Sequence, residues 1–261
     1  MIRLLHFLRR APGLSAEDFT AKWRDRHGPL TASFQTDLNI VRHVQVHSDP
    51  FAQGLEKAAG DARGGIEPPF DGVAEYWWTS PSALQEALAT DAGKAAHARL
   101  LDSEATFCDL SASPLWFAVE FPQVATSLRR PVAHIKSGVM RLLFAFHGLS
   151  HLSDEETCRY WRENHGPLVR SHSAARGLMA YNQVHRIESR LAEELSSARQ
   201  CAVAPYLGHA EAWFDRLSTN SGPEADAATA AAVADERNFI DWKRSTFFIG
   251  KELVFIEREW A

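Results

Sequence analysis

Cysteine is scarce in this chain, and its few cysteines have no regular spacing. Cys108, Cys158 and Cys201 form neither a C-x-x-C pair nor an even set. The sequence therefore predicts no disulfide framework and no zinc site built on thiolates. We expect these side chains to be buried, unreactive thiols.

Long hydrophobic runs and a strong excess of one charge are also absent. No stretch approaches the roughly 20 apolar residues of a membrane span, and residues 1–8 form too short an apolar run for a signal peptide. The net charge is -5, and no stripe of Lys and Arg alternates with aromatic residues, which argues against a nucleic-acid partner. We therefore expect a cytoplasmic protein that binds neither membranes nor nucleic acid.

Motifs for cofactor binding are missing as well. The chain has no glycine-rich phosphate loop and no G-x-G-x-x-G fingerprint, so the sequence predicts no nucleotide or flavin cofactor. His147, His151 and His172 lie in or beside predicted turns and do not form an H-x-x-x-H pair on a helix with a third ligand. We therefore expect solvated histidines, no metal and no other cofactor.

What the sequence does contain is an internal repeat. WRDRHGPL at residues 23–30 recurs as WRENHGPL at residues 161–168, and Gln-Val-His at residues 45–47 recurs at residues 183–185 with the same offset of 138. Similarity at one offset over about 45 residues indicates two copies of a single structural unit. The predicted divisions are a first repeat at residues 1–120, a linker at residues 121–138 and a second repeat at residues 139–261.

Both repeats have the same order of predicted elements, βαββαβ. Alternating apolar residues predict the strands, and a spacing of three to four predicts the helices. This order is that of a ferredoxin-like split βαβ unit, whose sheet leaves one face for a partner. We therefore predict an α+β fold in which two tandem ferredoxin-like repeats form an intramolecular α/β barrel. The predicted strands are residues 2–9, 41–47, 72–78, 115–120, 140–147, 179–185, 207–214 and 252–257.

The helices and insertions carry further predictions. The first helix of each repeat begins at a serine N-cap and is predicted to end at Gly-Pro, because the residue before a proline disfavours the helical conformation. His27 and His165 would then lie in the last turn, where the helix dipole favours a protonated imidazole. Residues 48–72 are rich in Gly and Pro and predict a long loop, whereas residues 187–195 predict a helix. The second helices are predicted at residues 82–97 and 223–236.

Several of these motifs together resemble the EthD family of the dimeric α/β-barrel superfamily. They are a helix that ends in W-R-x-x-H-G-P-L after an S-x-x-[DE] cap, a strand with Q-V-H, and a strand with Ala-Glu before aromatic residues. The resemblance covers both repeats. It implies a small-molecule pocket between sheet and helices in each repeat, for an aromatic or enolisable substrate. The superfamily includes cofactor-free cyclases, dehydratases, decarboxylases, isomerases and quinone-forming monooxygenases, and more distantly haem enzymes.

The doubled histidine before Gly-Pro is the first candidate for chemistry. An imidazole with a reference pKa near 6.5 moves protons readily at neutral pH. His27 and His165 are therefore predicted to act as a general acid or to stabilise an oxyanion. The alternative is structural, since such a histidine can also bond the last carbonyls of a helix.

A second matched set lies on the second strand of each repeat. His47 and His185 share a strand face with Gln45 and Gln183, because side chains alternate with a period of two. A polar row on an otherwise apolar strand predicts either a lined cavity or a solvated face. A doubled sheet leaves little face for solvent, which favours the cavity.

A carboxylate on the third strand completes the candidate set. Glu75 and Glu211 are flanked by alanine and aromatic residues. Burial among aromatic side chains predicts a raised carboxyl pKa, as a base or a group that orients a histidine requires. The alternative is an ion pair with Arg24 or Arg162.

The two predicted pockets are not equivalent, since Phe144 replaces His6 and Tyr181 replaces His43. We expect one active pocket and one degenerate pocket, and the sequence leaves open which is active. The tyrosine phenol can donate to a developing oxyanion. The predicted catalytic residues are His27, His47, Glu75, His165, Tyr181, His185 and Glu211. The predicted substrate-binding residues are His6, His43, Gln45, Trp77, Gln183 and Trp213.

These residues predict an enzyme that acts on a small aromatic or enolisable molecule by acid-base chemistry of histidine and carboxylate. Elimination, C–C cleavage and decarboxylation need this apparatus without a redox cofactor, so a lyase is favoured. The alternatives are a cyclase or isomerase, a cofactor-free oxygenase, and a non-catalytic protein that binds a hydrophobic metabolite. Homodimer formation through helices or edge strands stays open.

Overall fold

The structure is a computed structural model, which describes residues 1–127, 130–217 and 221–258. Parts of the predicted linker and second repeat therefore lie outside the described residues, at 128–129, 218–220 and 259–261. Among the described helices, none combines the length and the apolar character needed to cross a membrane.

The described strands form one closed antiparallel barrel. Their order around it is β1-β3-β2-β8-β5-β7-β6-β4. β4 continues five residues beyond the predicted end of the first repeat, and β8 begins well before its predicted start. The strands are β1 (Ile2–Leu8), β2 (Arg42–Ser48), β3 (Gly72–Trp78), β4 (Leu115–Ala125), β5 (Val139–Gly148), β6 (Leu178–Arg186), β7 (Gly208–Asp215) and β8 (Ile240–Glu257).

The barrel consists of two ferredoxin-like halves. Strands β4-β1-β3-β2 form one half and β8-β5-β7-β6 form the other. The halves join where β2 pairs with β8 and where β4 pairs with β6. The predicted α+β fold, with two ferredoxin-like repeats in an intramolecular barrel, is therefore confirmed.

One buried apolar cluster combines strands from both repeats, because closing the barrel brings the inner faces of both half-sheets together. Its members are Leu5, Phe7, Val44, Val46, Val73, Trp77, Trp116, Ala118, Leu143, Ala145, Val184 and Phe248, with residues from the adjoining loops. Helices pack on the outside of the barrel. They are α1 (Ala16–Lys22), α2 (Gly28–Ser33), α3 (Gln53–Asp61), α4 (Pro81–Ala89), α5 (Asp91–Glu104), α6 (Asp154–Tyr160), α7 (Gly166–Ser171), α8 (Arg190–Ala198) and α9 (Pro223–Glu236).

The first helix of each repeat does not end at Gly-Pro, so that prediction is wrong. Gly28 has helical dihedral angles and its N–H bonds the Trp23 carbonyl, closing a π-helical turn at Trp23–His27. The wider turn accommodates Pro29, which has no N–H to donate. The chain continues directly into α2, and Trp161–His165 does the same before α7. Both histidines therefore lie inside a helix, and the expected effect of the helix terminus on their protonation does not apply.

Two other helix predictions need correction. Residues 48–72 contain α3 instead of a continuous loop, and the Glu56 carboxylate on this helix accepts the Ile249 N–H at 2.8 Å. This tertiary contact offsets the low helix propensity of its glycines. The helix predicted at residues 82–97 is two helices, because Thr90 is extended and caps α5 through its side chain. The helices predicted at 187–195 and 223–236 correspond to α8 and α9.

The insertion helices α3 and α8 cross over to the opposite repeat. Arg199, at the end of α8, makes a two-bond contact with Glu104 of α5 at 2.8 and 3.1 Å. Arg63, just after α3, makes the same contact with Glu236 of α9 at 2.6 Å for both bonds. Each insertion therefore covers the space between sheet and helices of the other repeat.

Candidate functional site

The two spaces between sheet and helices differ greatly in size. The second repeat has a partly open cavity of about 400 Å³, lined by apolar side chains and by the polar residues Arg63, His165, Arg176, Tyr181, Thr229 and Glu236. The equivalent space in the first repeat measures about 50 Å³. A cavity of a few hundred cubic ångströms suits a small organic ligand. The second repeat therefore holds the candidate functional site, and we name it the repeat-two cavity.

Four pairs of equivalent residues explain the difference in volume. In each pair the small space of the first repeat is lined by a large side chain and the repeat-two cavity by a smaller one. The insertion helices show the equivalence directly, because Arg63 and Arg199 bond the carbonyls of Ala59 and Leu195 in the same way. The pairs, with the residue of the small space before that of the repeat-two cavity, are Tyr76 and Ala212, His97 and Thr229, Leu100 and Ala232, and Leu195 and Ala59.

His165 forms a dyad with a carboxylate at the wall of the repeat-two cavity. Its Nδ1 lies 2.8 Å from Oδ2 of Asp235 on α9, and the His165 side chain is 8% exposed. The hydrogen bond from His165 lowers the pKa of Asp235, so the carboxylate stays ionised. Since Nδ1 is engaged, Nε2 is the ring nitrogen left for a bound molecule.

His27 has a weaker partner in the first repeat. Its Nδ1 lies 3.0 Å from the Ser103 hydroxyl, which occupies the position of Asp235 at the end of the helix. Burial lowers the pKa of His27, the opposite of the predicted protonated state. The pair of histidines that the sequence treats as equivalent is therefore chemically different in the two repeats.

Tyr181 lines the same cavity as His165. Its hydroxyl accepts hydrogen bonds from Trp161 Nε1 at 3.2 Å and from Gln183 Nε2 at 3.5 Å. Burial raises the pKa of Tyr181 to about 12, so the phenol keeps its proton at neutral pH. Among the described residues its own O–H has no acceptor, which leaves that proton for a ligand.

The predicted row on β2 and β6 supports the π-helical turns. Gln45 and Gln183 donate to the carbonyls of Trp23 and Trp161, at 3.1 and 2.7 Å. His47 and His185 in turn contact the glutamine oxygens at 2.9 and 3.2 Å, and their ring centroids lie 4.3 Å from those of the same tryptophans. None of these four polar side chains lines either of the two spaces. The structure therefore places them in packing rather than beside a ligand.

Glu75 and Glu211 lie in the middle of the barrel rather than in a pocket. Arg141 bonds Glu75 at 2.8 Å and also bonds Glu211, and Arg3 bonds both carboxylates. Burial alone would raise the pKa of Glu75, but the two arginines hold it at about 2. They lower the pKa of Glu211 in the same way. The prediction of raised carboxyl pKa values is wrong, because the ion pair forms with strand arginines that the sequence does not single out.

The remaining predicted binding residues are divided between the barrel and the first repeat. Trp77 and Trp213 lie in the barrel, where Arg3 and Arg141 stack on them at 4.8 Å. His6 lines the small space of the first repeat, and burial lowers its pKa to about 4. His43 stacks on Tyr76 with ring centroids 4.3 Å apart, and burial lowers its pKa to about 3.

One group of possible metal ligands was missed by the sequence analysis. Glu75, His209 and Glu211 place ligand atoms within 4.8 Å of one another. Both carboxylates are already paired with Arg3 and Arg141, so a cation would meet two guanidinium groups. This arrangement disfavours a metal ion at the centre of the barrel.

Asp235, Arg63, Glu236 and Arg176 were also missed. Asp235 and Glu236 occupy the same positions on α9 as Ser103 and Glu104 on α5, but the offset there is shorter than 138 and the helices share few residues. The comparison at fixed spacing therefore did not find Asp235 and Glu236. Aligning the helix ends would have revealed the acidic residue that only the second repeat has.

The family comparison matches the EthD domain over two segments, residues 11–111 and 149–243. Together they cover most of both repeats. The comparison with curated proteins found no significant match.

Solved structures with the same overall arrangement include three that align along nearly the whole chain. A putative monooxygenase from Fusobacterium nucleatum is 6% identical, covers 98% of this chain and 98% of its own, and has a TM-score of 0.50. A putative monooxygenase from Lactobacillus acidophilus is 8% identical, covers 97% and 93%, and has a TM-score of 0.44. A putative chlorite dismutase is 11% identical, covers 97% and 94%, and has a TM-score of 0.49. At such low identity the likeness concerns the fold alone.

Proposed function

We propose that this chain, which belongs to the EthD domain family, is an enzyme. It would move protons on an aromatic or enolisable substrate in the repeat-two cavity. The observation that carries the proposal is the 2.8 Å contact between His165 and Asp235 at the wall of this cavity. The first repeat has a serine in place of the aspartate and almost no space for a ligand. The proposal therefore assigns the chemistry to the second repeat.

In the proposed first step, His165 acts as the general base. The ionised Asp235 accepts a hydrogen bond from the Nδ1–H of His165, which keeps this proton on Nδ1 and leaves Nε2 with a free electron pair. Nε2 removes a proton from the carbon next to a substrate carbonyl, and the bonding electron pair moves onto the carbonyl oxygen. Asp235 is a positioning residue, which fixes the imidazole tautomer and stabilises the imidazolium that forms.

Tyr181 is proposed to donate its hydrogen bond to the resulting oxyanion. The two N–H donors that bond its oxygen strengthen the phenol as a donor, since they withdraw electron density. Its raised pKa keeps the O–H intact at neutral pH. A preorganised donor of this kind is worth roughly 2.7–4 kcal/mol of barrier in enzymes that stabilise an oxyanion.

More specifically, we propose that the enzyme is a lyase. When the electron pair returns from the oxyanion, it expels a leaving group from the neighbouring carbon, and the imidazolium returns its proton to that group. Elimination balances in this way with no external oxidant or reductant. In decarboxylation or C–C cleavage, Nε2 first takes the proton of the carboxyl or hydroxyl group that departs. The breaking C–C bond then supplies the electron pair of the enolate, and the imidazolium returns the same proton to the carbon. A cyclase or isomerase would use the same enolate with a different second step.

The test measures solvent deuterium exchange by NMR in a panel of phenolic, quinone and β-keto compounds. We expect wild type to accelerate exchange or conversion of some panel members. His165→Gln should reduce the rate by about 10²–10⁴-fold, the usual contribution of a general base. Asp235→Ser, which reproduces the first repeat, should lower kcat more than it changes KM.

His27→Gln is the matched control, because it alters the equivalent histidine in the repeat without a cavity. Its rate should stay within about threefold of wild type. Equal losses in the two histidine variants would contradict the assignment to the second repeat. Binding without exchange or conversion by wild type would favour a non-catalytic binding protein, and oxygen uptake with the same compounds would favour an oxygenase.

A further inference from the structure

A second cation lines the repeat-two cavity besides Arg63. Arg176 lies in the turn between α7 and β6 and is half-buried. The equivalent position in the first repeat is Leu38, which is 4% exposed and lines the filled space. The next residues, Gly177 and Asn39, both have a positive φ, which fixes the equivalence of the two turns. The open cavity thus has a guanidinium where the filled one has a leucine.

The two cations of the cavity differ in how they are neutralised. Arg63 is paired with Glu236 through two bonds of 2.6 Å. The same carboxylate also accepts Trp242 Nε1 at 3.2 Å, so both of its oxygens are engaged. Within the described ranges, no carboxylate lies at ion-pair distance from Arg176 and its side chain makes no hydrogen bond. The cavity therefore presents one unpaired guanidinium.

The walls around this guanidinium are mostly apolar, and they include Leu142, Leu178 and Phe214. An unpaired charge beside apolar surface is costly, and an anion that forms two parallel bonds with a guanidinium removes the cost. A planar carboxylate matches the guanidinium fork. A phosphate dianion would need more donors than this single arginine supplies.

We propose that the repeat-two cavity binds an aromatic carboxylate, with Arg176 holding the carboxylate and the apolar walls holding the ring. This proposal rests on the proposed function, because it names the class of substrate that the same cavity would bind. Arg176 determines specificity, while His165 acts at the reacting carbon and Tyr181 at the oxyanion.

The experiment measures dissociation constants by isothermal titration calorimetry of the full chain. The three naphthalene probes are 2-naphthoate, 2-naphthamide and 2-naphthyl phosphate. Wild type should bind the acid about 10–100-fold more tightly than the amide, as expected for hydrogen bonds to a charged group. Arg176→Leu, which introduces the residue of the first repeat, should remove this preference and change the amide affinity less than threefold. Arg176→Lys should retain part of it.

Arg170→Leu is the control for net charge, because Arg170 is exposed on α7 and bonds Gln123 outside the cavity. This variant should keep the full preference for the acid. The proposal is overturned if wild type binds acid and amide equally or binds neither, or if the preference survives in Arg176→Leu. Tighter binding of the phosphate than of the acid would overturn the choice of a carboxylate.

The outcome separates this proposal from the proposed function. His165→Gln should keep the preference for the acid while losing exchange. If the preference for the acid over the amide holds but no enolisable compound exchanges, the carboxylate site is supported and the catalytic role of His165 is contradicted. If neutral ketones exchange as fast as keto acids in wild type and in Arg176→Leu, the carboxylate site is contradicted and the catalytic role of His165 is supported.

Discussion

At the scale of single residues, small side chains decide which repeat has a cavity. The walls of the repeat-two cavity carry Ala59, Ala212 and Ala232 where the small space of the first repeat is lined by Leu195, Tyr76 and Leu100. Each of the larger side chains fills volume and buries apolar area, which favours stability. Their loss in the second repeat leaves room for a ligand, and the histidine with an acidic partner lies beside that room.

Ala59→Leu should therefore close the repeat-two cavity. The added leucine reproduces the side chain that fills the equivalent space, so we expect the affinity for 2-naphthoate to fall at least tenfold. The free energy of unfolding should change little, since the leucine occupies existing space. Titration calorimetry and urea unfolding measure the two quantities.

The reciprocal variant Leu195→Ala serves as its control. It enlarges the space in the first repeat and should lower the free energy of unfolding by about 2–5 kcal/mol, the usual cost of such a truncation. Binding of 2-naphthoate to the second repeat should persist. Unchanged affinity in Ala59→Leu would show that the ligand binds elsewhere.

At the scale of elements, the insertion helices join the two repeats. Leu191 and Leu195 of α8 pack into the apolar core of the first repeat. Burial alone would raise the pKa of Glu104, but Arg199 lowers it to about 2. The charged contact at the end of the helix thus fixes α8 over a space that it also fills. The corresponding contact of α3 fixes the cover of the open cavity.

Breaking the contact of Arg199 with Glu104 should be costly. Arg199→Leu leaves a buried carboxylate without its partner, so we expect a loss of about 3–5 kcal/mol in the free energy of unfolding. The double variant Arg199→Leu and Glu104→Leu should recover most of this loss, because it removes the stranded charge. Urea unfolding of wild type, Arg199→Leu, Glu104→Leu and the double variant gives a complete double-mutant cycle. A double variant as unstable as the single one would contradict the explanation.

At the scale of the whole molecule, buried ionisable groups connect the halves of the barrel. Arg3 of the first repeat bonds Glu211 of the second, and Arg141 of the second bonds Glu75 of the first. Each arginine also stacks on a tryptophan of its own repeat. The network satisfies most of its charges internally, which a closed barrel requires because water does not reach its centre.

Buried histidines make the molecule sensitive to acid. Burial lowers the pKa of His6 to about 4 and those of His43, His47 and His185 to about 3. Below the ordinary value of 6.5 the unfolded chain therefore takes up protons that the folded chain does not. Because of this linkage, the free energy of unfolding has its full value above pH 6.5 and decreases as the pH falls below that value.

Urea unfolding at pH 7.5, 6.0 and 5.0 checks this expectation. Each such histidine contributes up to about 1.4 kcal/mol per pH unit below 6.5. His43→Gln should reduce the slope by about one histidine's contribution, whatever its effect at pH 7.5. A flat profile between pH 7.5 and 5.0 would contradict the neutral state of these buried imidazoles.

The sequence by itself determined the repeat, the βαββαβ order and the position of the paired histidines. These features depend on local patterns, namely the period of apolar residues, serine N-caps and a constant offset between copies. Local patterns also gave α8 and α9. They misplaced α3, because its stability depends on contacts with β8 that are distant in sequence. They misplaced the helix end at Gly-Pro, because a π-helical turn supported by Gln45 or Gln183 accommodates the proline.

Only the tertiary structure decided which polar residues meet and where space remains. In this closed barrel strands such as β1 and β3 are buried on both faces, so alternation does not tell an inner face with Glu75 and Glu211 from an outer face beside a cavity. The partner of His165 comes from α9, and the cavity that His165 shares with Arg176 is covered by the insertion of the other repeat, which crosses over as α3. The size of a cavity depends on the summed volumes of side chains from distant segments, which no local pattern records.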